Sequence, residues 1–385
     1  MSNHGQMTPP KDLPLALGLC GIGDPSSPQT WSGTPWQILQ ELLSTPDVNV
    51  KTLDADINSV VLRRVLQLAS AVRYRQTKAL GRGGLLRAAR ALKVAKELPP
   101  RTFPQRLHLG TLTLPNVFSS ASVKDYVFCD ATWNTWTGAA TTMPRWRTAF
   151  ELDADRLEAL SYRQASHIFS ISEYVKDNLV SHYHVPPSKV TVVGTGLGVI
   201  KPYHGPKEYD NGKILFVAKG RFEDKGGHLV LSAFAQAREK NPQLTLTIVG
   251  QEHYPQQYGN IPGVTTHGFV ALEELQNFFN THSLFVMPAL NEPWGLVYLE
   301  ALACRMPIIG LRRNAFPEIS NNGAFGTMVD SDSPAELANS LLGAFETPSV
   351  LERTGQAGQA FCLERFTWKR TVAKIVDVIR SGRQT

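Results

Sequence analysis

Two carboxylates eight positions apart, Glu292 and Glu300, bracket the stretch Pro293-Trp294-Gly295-Leu296-Val297-Tyr298-Leu299. This stretch follows the apolar run Ser283 to Met287, which reads as a buried strand, and passes through a Pro and Gly turn into a helix over Leu296–Ala303. Glu292 then falls in the loop at the strand's carboxyl end and Glu300 on the helix. At ~1.5 Å rise per residue, Gly295 and Glu300 lie several Å apart along the helix axis. The backbone N–H groups of Gly295, Leu296 and Val297 lack intrahelical acceptors, and with the helix dipole they make an anion site. A phosphate cradle between two acceptors for hydroxyl hydrogen bonds has the parts that a nucleotide sugar needs. A Glu near a helix start can also be a plain stabiliser. Glu300, however, sits between Tyr298-Leu299 and Ala301-Leu302-Ala303-Cys304, where little of the helix is solvated and a carboxylate requires a partner.

Other candidates are spread along the chain. Arg221 and Lys225 follow the strand Lys213–Val217 and are either phosphate ligands or a surface pair beside Glu223 and Asp224. Ser32 and Gly33 precede the helical run Trp36–Leu43, where a glycine permits close backbone approach to an anion. Asp130 ends the strand Asp125–Phe128, and His108 lies in the strand Arg106–Leu112; capping and core packing are their bland roles. Gly18, Gly21 and Gly23 after the strand Leu13–Leu19, with Asp54 or Asp56 as a ribose ligand, raise a nicotinamide-dependent oxidoreductase. The glycines miss the GxGxxG spacing, and Pro25-Ser26-Ser27-Pro28 replaces the helix that should hold the pyrophosphate.

Positioning these residues takes alternating short apolar runs and longer helical patterns, the mark of βα units and parallel sheets. Further strands are read at Val48–Leu53, His167–Ile171, Val190–Val193, Leu244–Val249 and Pro307–Gly310, and further helices at Gly227–Ala237, Leu272–Phe279 and Pro334–Glu346. The fold class is α/β with two Rossmann-like domains. The first spans 1–194, a Gly, Pro, Lys and Asp-rich linker 195–212, the second domain 213–364, and a last helix, 365–385, packs back on the first. Ligands of such sheets bind outside the strands' carboxyl ends. No repeat of 20 to 50 residues is present, which sets solenoids and propellers aside.

The Glu292 to Glu300 pattern, within Glu-Pro-Trp-Gly-Leu-Val-Tyr-Leu-Glu-Ala-Leu-Ala-Cys, resembles the E-x7-E motif of the retaining family 4 glycosyltransferases of GT-B fold. Ile214 to Gly227 is similar to that family's first donor-domain strand with its Arg and Lys pair, and Gly263 to Val270 to its loop beside the base. Ser172 to Lys176, and Phe366-Thr367-Trp368 before the last helix, also fit. The likeness is strong over Ala165–Ile379 and weaker before it. It implies parallel sheets facing an interdomain cleft that closes on the donor, with Glu300 on the ribose hydroxyls and Glu292 on the transferred hexose. Lys225, helped by Arg221, would neutralise the leaving diphosphate, although Arg-x-x-x-Lys is one residue shorter than the commoner family spacing. Trp294, Gly295, Leu296 and Val297, together with loops at Gly250, His267 and Phe269, would complete the donor side. Ser32 and Gly33 would approach the diphosphate from the acceptor side. Asp130 stands where many relatives carry a His near the sugar, with His108 as the second candidate. Front-face attack, the donor phosphate taking the acceptor's proton, is the implied mechanism. No resident cofactor and no metal are expected, since no DxD motif is placed to bind one; the donor is UDP- or GDP-linked. The acceptor is a glycan, a lipid-linked or a small molecule, as in bacterial envelope or capsular polysaccharide assembly. Sugar phosphorylases and nucleotide-sugar epimerases share the architecture and remain alternatives.

Composition sets the remaining bounds. At 385 residues, 42% hydrophobic and 19% charged, the chain matches an ordinary two-domain protein. No run approaches the ~20 apolar residues of a membrane span, and Met1 to Asp12 lacks a secretory core, so a cytoplasmic setting is expected. Cys20, Cys129, Cys304 and Cys362 stand apart in apolar contexts and read as buried hydrophobes. Between Val61 and Arg106, twelve Lys or Arg face the single acid Glu97, a local charge of +11 in a chain of net +6. With Leu85, Leu86, Ala89, Leu92 and Val94 interleaved, segment 61–106 reads as a basic amphipathic helix that either contacts anionic membrane, serves a phosphorylated acceptor or is simply solvated. Nucleic acid is not expected, because the segment has almost no aromatics to stack bases.

Overall fold

The computed structural model describes residues 14–74, 83–113, 122–138 and 149–382. Its first half carries β1 (Leu15–Gly21), α1 (Thr34–Ser44), β2 (Val48–Asp54), α2 (Val60–Tyr74), α3 (Gly84–Glu97), β3 (Gln105–Leu109), β4 (Lys124–Cys129), α4 (Trp133–Gly138), α5 (Ala149–Gln164), β5 (His167–Ser170), α6 (Glu173–Ser181) and β6 (Val190–Val192). The second half carries β7 (Lys213–Val217), α7 (Gly227–Lys240), β8 (Thr245–Val249), β9 (Val264–His267), α8 (Leu272–Thr281), β10 (Leu284–Val286) and α9 (Leu296–Ala303). It continues through β11 (Ile308–Leu311), α10 (Phe316–Ile319), β12 (Gly326–Val329), α11 (Pro334–Ala344), α12 (Pro348–Arg365) and α13 (Trp368–Ser381).

Each half builds one six-stranded sheet, ordered β2-β1-β3-β4-β5-β6 and β12-β11-β10-β7-β8-β9, with every strand pair parallel. Helices cover both faces of a parallel sheet, so central strands are apolar throughout; Ile214, Leu215, Phe216 and Val217 of β7 are all buried. Strand order reverses between β1 and β3 in one sheet and between β7 and β10 in the other. A crevice opens at the carboxyl side of each switch point. α13 returns to the first half, where Lys374 Nζ donates to Val192 O (3.0 Å) and Arg380 Nη2 to Pro46 O (2.8 Å).

Several expectations are corrected. Gly18 and Gly21 lie inside β1 and not in a turn. Their lack of Cβ makes room for Leu98 and Leu109, not for phosphate. Asp54 Oδ1 accepts the N–H groups of Gly23 and Asp56 (3.0 and 2.9 Å), and Asp56 pairs with Arg90 at 2.7 Å, so both acids of the dinucleotide reading are already engaged. The basic segment forms two helices and a strand, not one helix. Arg87, Arg90 and Arg106 are buried in it, whereas the calls on 75–82 lie outside the described residues. β9 and β12 were not anticipated as strands because both are short sheet edges with half-exposed residues, which removes the continuous apolar run.

Candidate active site

The loop after β10 turns into α9 at Gly295, whose φ of 90° suits glycine; a Cβ there would crowd Tyr298 and Glu292. Tyr298 Oη donates back to Met287 O, tying the helix start to the strand end. Leu296 and Val297 begin the helix, so their N–H groups have no intrahelical acceptor. One turn on, Glu300 is buried, and its Oε1 accepts the N–H groups of Val199 (2.8 Å) and Ile200 (3.3 Å) from the chain joining the two sheets. Burial raises the Glu300 pKa against the pull of those N–H groups and of Lys219 and Lys225. No hydrogen bond reaches Oε2 among the described residues. Trp294 Nε1 donates to Thr195 Oγ1 at 2.7 Å, which anchors the loop to the same joining segment.

Facing this helix start is the turn after β7. Lys225 is buried, and burial pushes its ammonium below the usual lysine range, opposed by Glu292 and reinforced by Arg221 and Lys219. Arg221 donates from Nε to Asp224 (3.1 Å), from Nη1 to Glu292 Oε2 (3.4 Å) and from Nη2 to Asn291 O (3.0 Å). Its guanidinium lies 4.9 Å from the Trp136 ring centroid. Asn291 Nδ2 donates to Trp136 O (2.7 Å), and Lys219 Nζ to Ser32 Oγ (2.9 Å), so the two halves touch across the gap at these points.

The opposite wall is formed differently. Trp31, Ser32 and Gly33 are three consecutive left-handed residues (φ 51°, 55° and 86°) that turn the chain into α1. Asp130 follows β4, with Oδ1 accepting the Ala131 N–H at 2.8 Å, and Glu158 of α5 is buried behind it. Glu158 accepts from Thr111 Oγ1 (3.0 Å), the Trp133 N–H (2.7 Å) and Tyr162 Oη (2.9 Å), holding β3's exit loop and α4 in place.

Together these walls enclose a cleft of about 1030 Å³. Ser32, Asp130, Arg221, Lys225, Gly250 and Phe269 line it, as do Glu292, Trp294, Gly295, Leu296, Val297 and Glu300. Three expected residues are not brought to the surface of the cleft. Gly33 sits behind Ser32, and His267 turns its ring onto Phe278 (4.9 Å between centroids) and towards Glu274. His108 is fully buried between Thr113 and Asp125, each 2.9 Å from a ring nitrogen, with Cys20 Sγ at 3.3 Å. Its place is the core of the first sheet. Lys219, Trp31, Trp136 and Glu158 also line the cleft and were not singled out from sequence. For Lys219 the signal was present: a basic residue and a glycine directly after an apolar strand.

The model of the glycosyl transferases group 1 family matches residues 201–361. That segment belongs to the family. The group 1 match takes in the whole second sheet, Glu292 and Glu300, and the cations Lys219, Arg221 and Lys225. D-inositol 3-phosphate glycosyltransferase of Paenarthrobacter aurescens (strain TC1) is 28% identical over 227 residues, covering 54% of this chain and 55% of the relative. Alpha-maltose-1-phosphate synthase of Mycobacterium tuberculosis (strain ATCC 25618 / H37Rv) is 28% identical over 117 residues, 29% of this chain and 30% of that protein. The chain spans about half the length of the first of these curated relatives. Among solved structures, sucrose-phosphate synthase from Thermosynechococcus elongatus superposes with a TM-score of 0.69 at 16% identity, over 95% of this chain and 98% of that one. Anabaena HepE in complex with UDP gives 0.68 at 15% identity, over 95% and 100%. At such identities the likeness is one of fold, and the fold is GT-B.

Proposed function

We propose that this chain is a retaining glycosyltransferase that moves a hexose-type sugar from a nucleoside diphosphate donor, UDP- or GDP-linked, to a hydroxyl-bearing acceptor. The observation that carries it is the open α9 N-terminus between Glu292 and Glu300, faced by Lys219, Arg221 and Lys225 across one cleft. The diphosphate lies against the N–H groups of Leu296 and Val297, where dipole and cations meet the charge that grows on the leaving group. These protein cations supply the neutralisation for which other transferases use a divalent ion. Glu300 Oε2 takes the ribose hydroxyls while Val199 and Ile200 fix the orientation of its carboxylate. Glu292, steadied by Arg221, takes the hexose hydroxyls. Asp130 approaches the sugar from the acceptor wall, and the acceptor's proton passes to the donor phosphate. HepE, a structural neighbour, has been solved with UDP-glucose, which favours a uridine donor.

Among the described residues no helix is long and apolar enough to cross a membrane. α2 exposes Val60, Val61, Leu62, Val65 and Leu68 beside Arg63 and Arg64, which supports peripheral contact with an anionic lipid surface on the cytoplasmic side. Sedimentation with phosphatidylglycerol vesicles tests this; equal recovery with neutral vesicles counts against it.

A thermal-shift series with UDP, GDP and ADP tests the donor site. One nucleotide at about 100 times its Kd stabilises by about 2.7 kcal/mol, and no shift with any of the three ends the reading. Retention is read from the anomeric configuration of the product by NMR, and an inverted product refutes it.

A further inference from the structure

We infer that Lys219 is a diphosphate ligand on the β7 side of the cleft, beside Lys225, and that Arg221 acts as a positioning residue for Glu292. The inference rests on the nucleoside diphosphate reading above and divides labour between two neighbouring cations.

Arg221 is already committed. Each of its three nitrogens donates once, to the Asp224 carboxylate, the Glu292 carboxylate and the Asn291 carbonyl, and its guanidinium carbon lies 4.9 Å from the Trp136 ring centroid. Two carboxylates and a carbonyl already hold the guanidinium beside Glu292, so its fixed fork is oriented by protein partners before any phosphate arrives. Lys219 is exposed, makes no ion pair among the described residues, and has a single side-chain partner, the neutral Ser32 hydroxyl at 2.9 Å. Exchanging a hydroxyl for a phosphate oxygen turns a contact with one charged partner into an ion pair.

Backbone strain points the same way. Lys219 has a φ of 49°, followed by Gly220 at 72°. The turn is locked, because Gly220 N donates to Gly250 O (2.9 Å) and a Cβ on Gly250 would lie 2.5 Å from Lys219 N. A glycine at 219 would take this conformation without strain. Of the nine non-glycine residues with positive φ among those described, Trp31, Ser32 and Lys219 line the cleft, and the last two meet across it. Strain retained on both sides of a ligand cleft implies use of the side chains that carry it.

Titration calorimetry with UDP, uridine and UDP-glucose separates the two roles. Lys219→Ala should raise the Kd for UDP roughly tenfold and leave that for uridine within about twofold. Lys219→Gly should lose the same affinity with no fall in thermal midpoint, and Lys219→Arg should recover most of it. Arg221→Ala should keep the Kd for UDP within about threefold while erasing any affinity advantage of UDP-glucose over UDP and lowering kcat. Unchanged UDP binding in both Lys219→Ala and Lys219→Gly overturns the assignment, as does an Arg221→Ala variant that loses UDP as strongly as Lys219→Ala. A wild-type chain that binds none of UDP, GDP and ADP instead removes the nucleotide reading beneath it.

Discussion

On the donor wall, Glu292, Trp294, Gly295 and Glu300 fall within nine residues of sequence, on one loop and one helix. On the facing wall, Trp31, Asp130, Trp136 and Glu158 come from four separate elements, and a left-handed turn at Trp31–Gly33 brings the chain to the edge of the cleft. The donor wall concentrates charge, with three cations opposite two carboxylates. The described lining of the other wall has two carboxylates, Asp130 and Glu158, two tryptophans and no Lys or Arg. A common donor can be met by a compact local motif. In the proposed reading the acceptor is met by surfaces that the first sheet's loops assemble. Among the described residues of segment 61–106, no Lys or Arg lines the cleft: Arg90 pairs with Asp56, and Arg106 lies buried 3.9 Å from Asp125.

The contrast can be broken most severely at Glu300. Glu300→Ala removes the carboxylate proposed to take the ribose hydroxyls and strands the N–H groups of Val199 and Ile200, so kcat/KM should fall on the order of 100-fold or more with UDP affinity reduced in parallel. Full turnover in steady-state assays would remove the donor wall from the mechanism. Asp130→Asn probes the other wall: kcat should drop roughly tenfold or more while calorimetry shows an unchanged Kd for UDP. Weaker UDP binding there would mean that the walls are not functionally separate.

Gly250→Ala tests the Lys219 turn through the backbone. With φ at +80° and Lys219 in the way, the variant should lose about 1–3 kcal/mol of stability and several-fold in UDP affinity. A chemical denaturation midpoint equal to wild type would show that the turn is not locked. The smallest effect on turnover is expected at His108. Burial disfavours its charge, but Cys20 and the Asp125 carboxylate overcome this and lift the pKa to about 10. Because the folded value lies above the ordinary ~6.5, the stabilisation is fully present below that pH and is lost as pH rises towards 10. The stability gap between wild type and His108→Asn should therefore narrow from pH 6 to 10, with neutral-pH kcat nearly unchanged; a gap that stays constant would mean that the ring is neutral throughout.

Much of this molecule was legible in the chain alone. Continuous apolar runs such as Ile214–Val217 announce parallel strands, because only residues buried on both faces escape alternation. The helix Leu296–Ala303 and the loop position of Glu292 follow from contiguous residues, since a strand, a turn and a helix start impose their geometry within one βα unit. Tertiary structure alone decided what each charge would touch. Glu300 meets Val199 at 101 residues' separation, Asn291 meets Trp136 at 155, and Lys219 meets Ser32 at 187. Likewise His267 and His108, both plausible as ligands by residue type, were engaged by other neighbours: His267 by the Phe278 ring, and His108 by buried hydrogen bonds to Asp125 and Thr113. Local periodicity is set by backbone sterics and burial; partnership across a cleft depends on how two sheets are brought face to face.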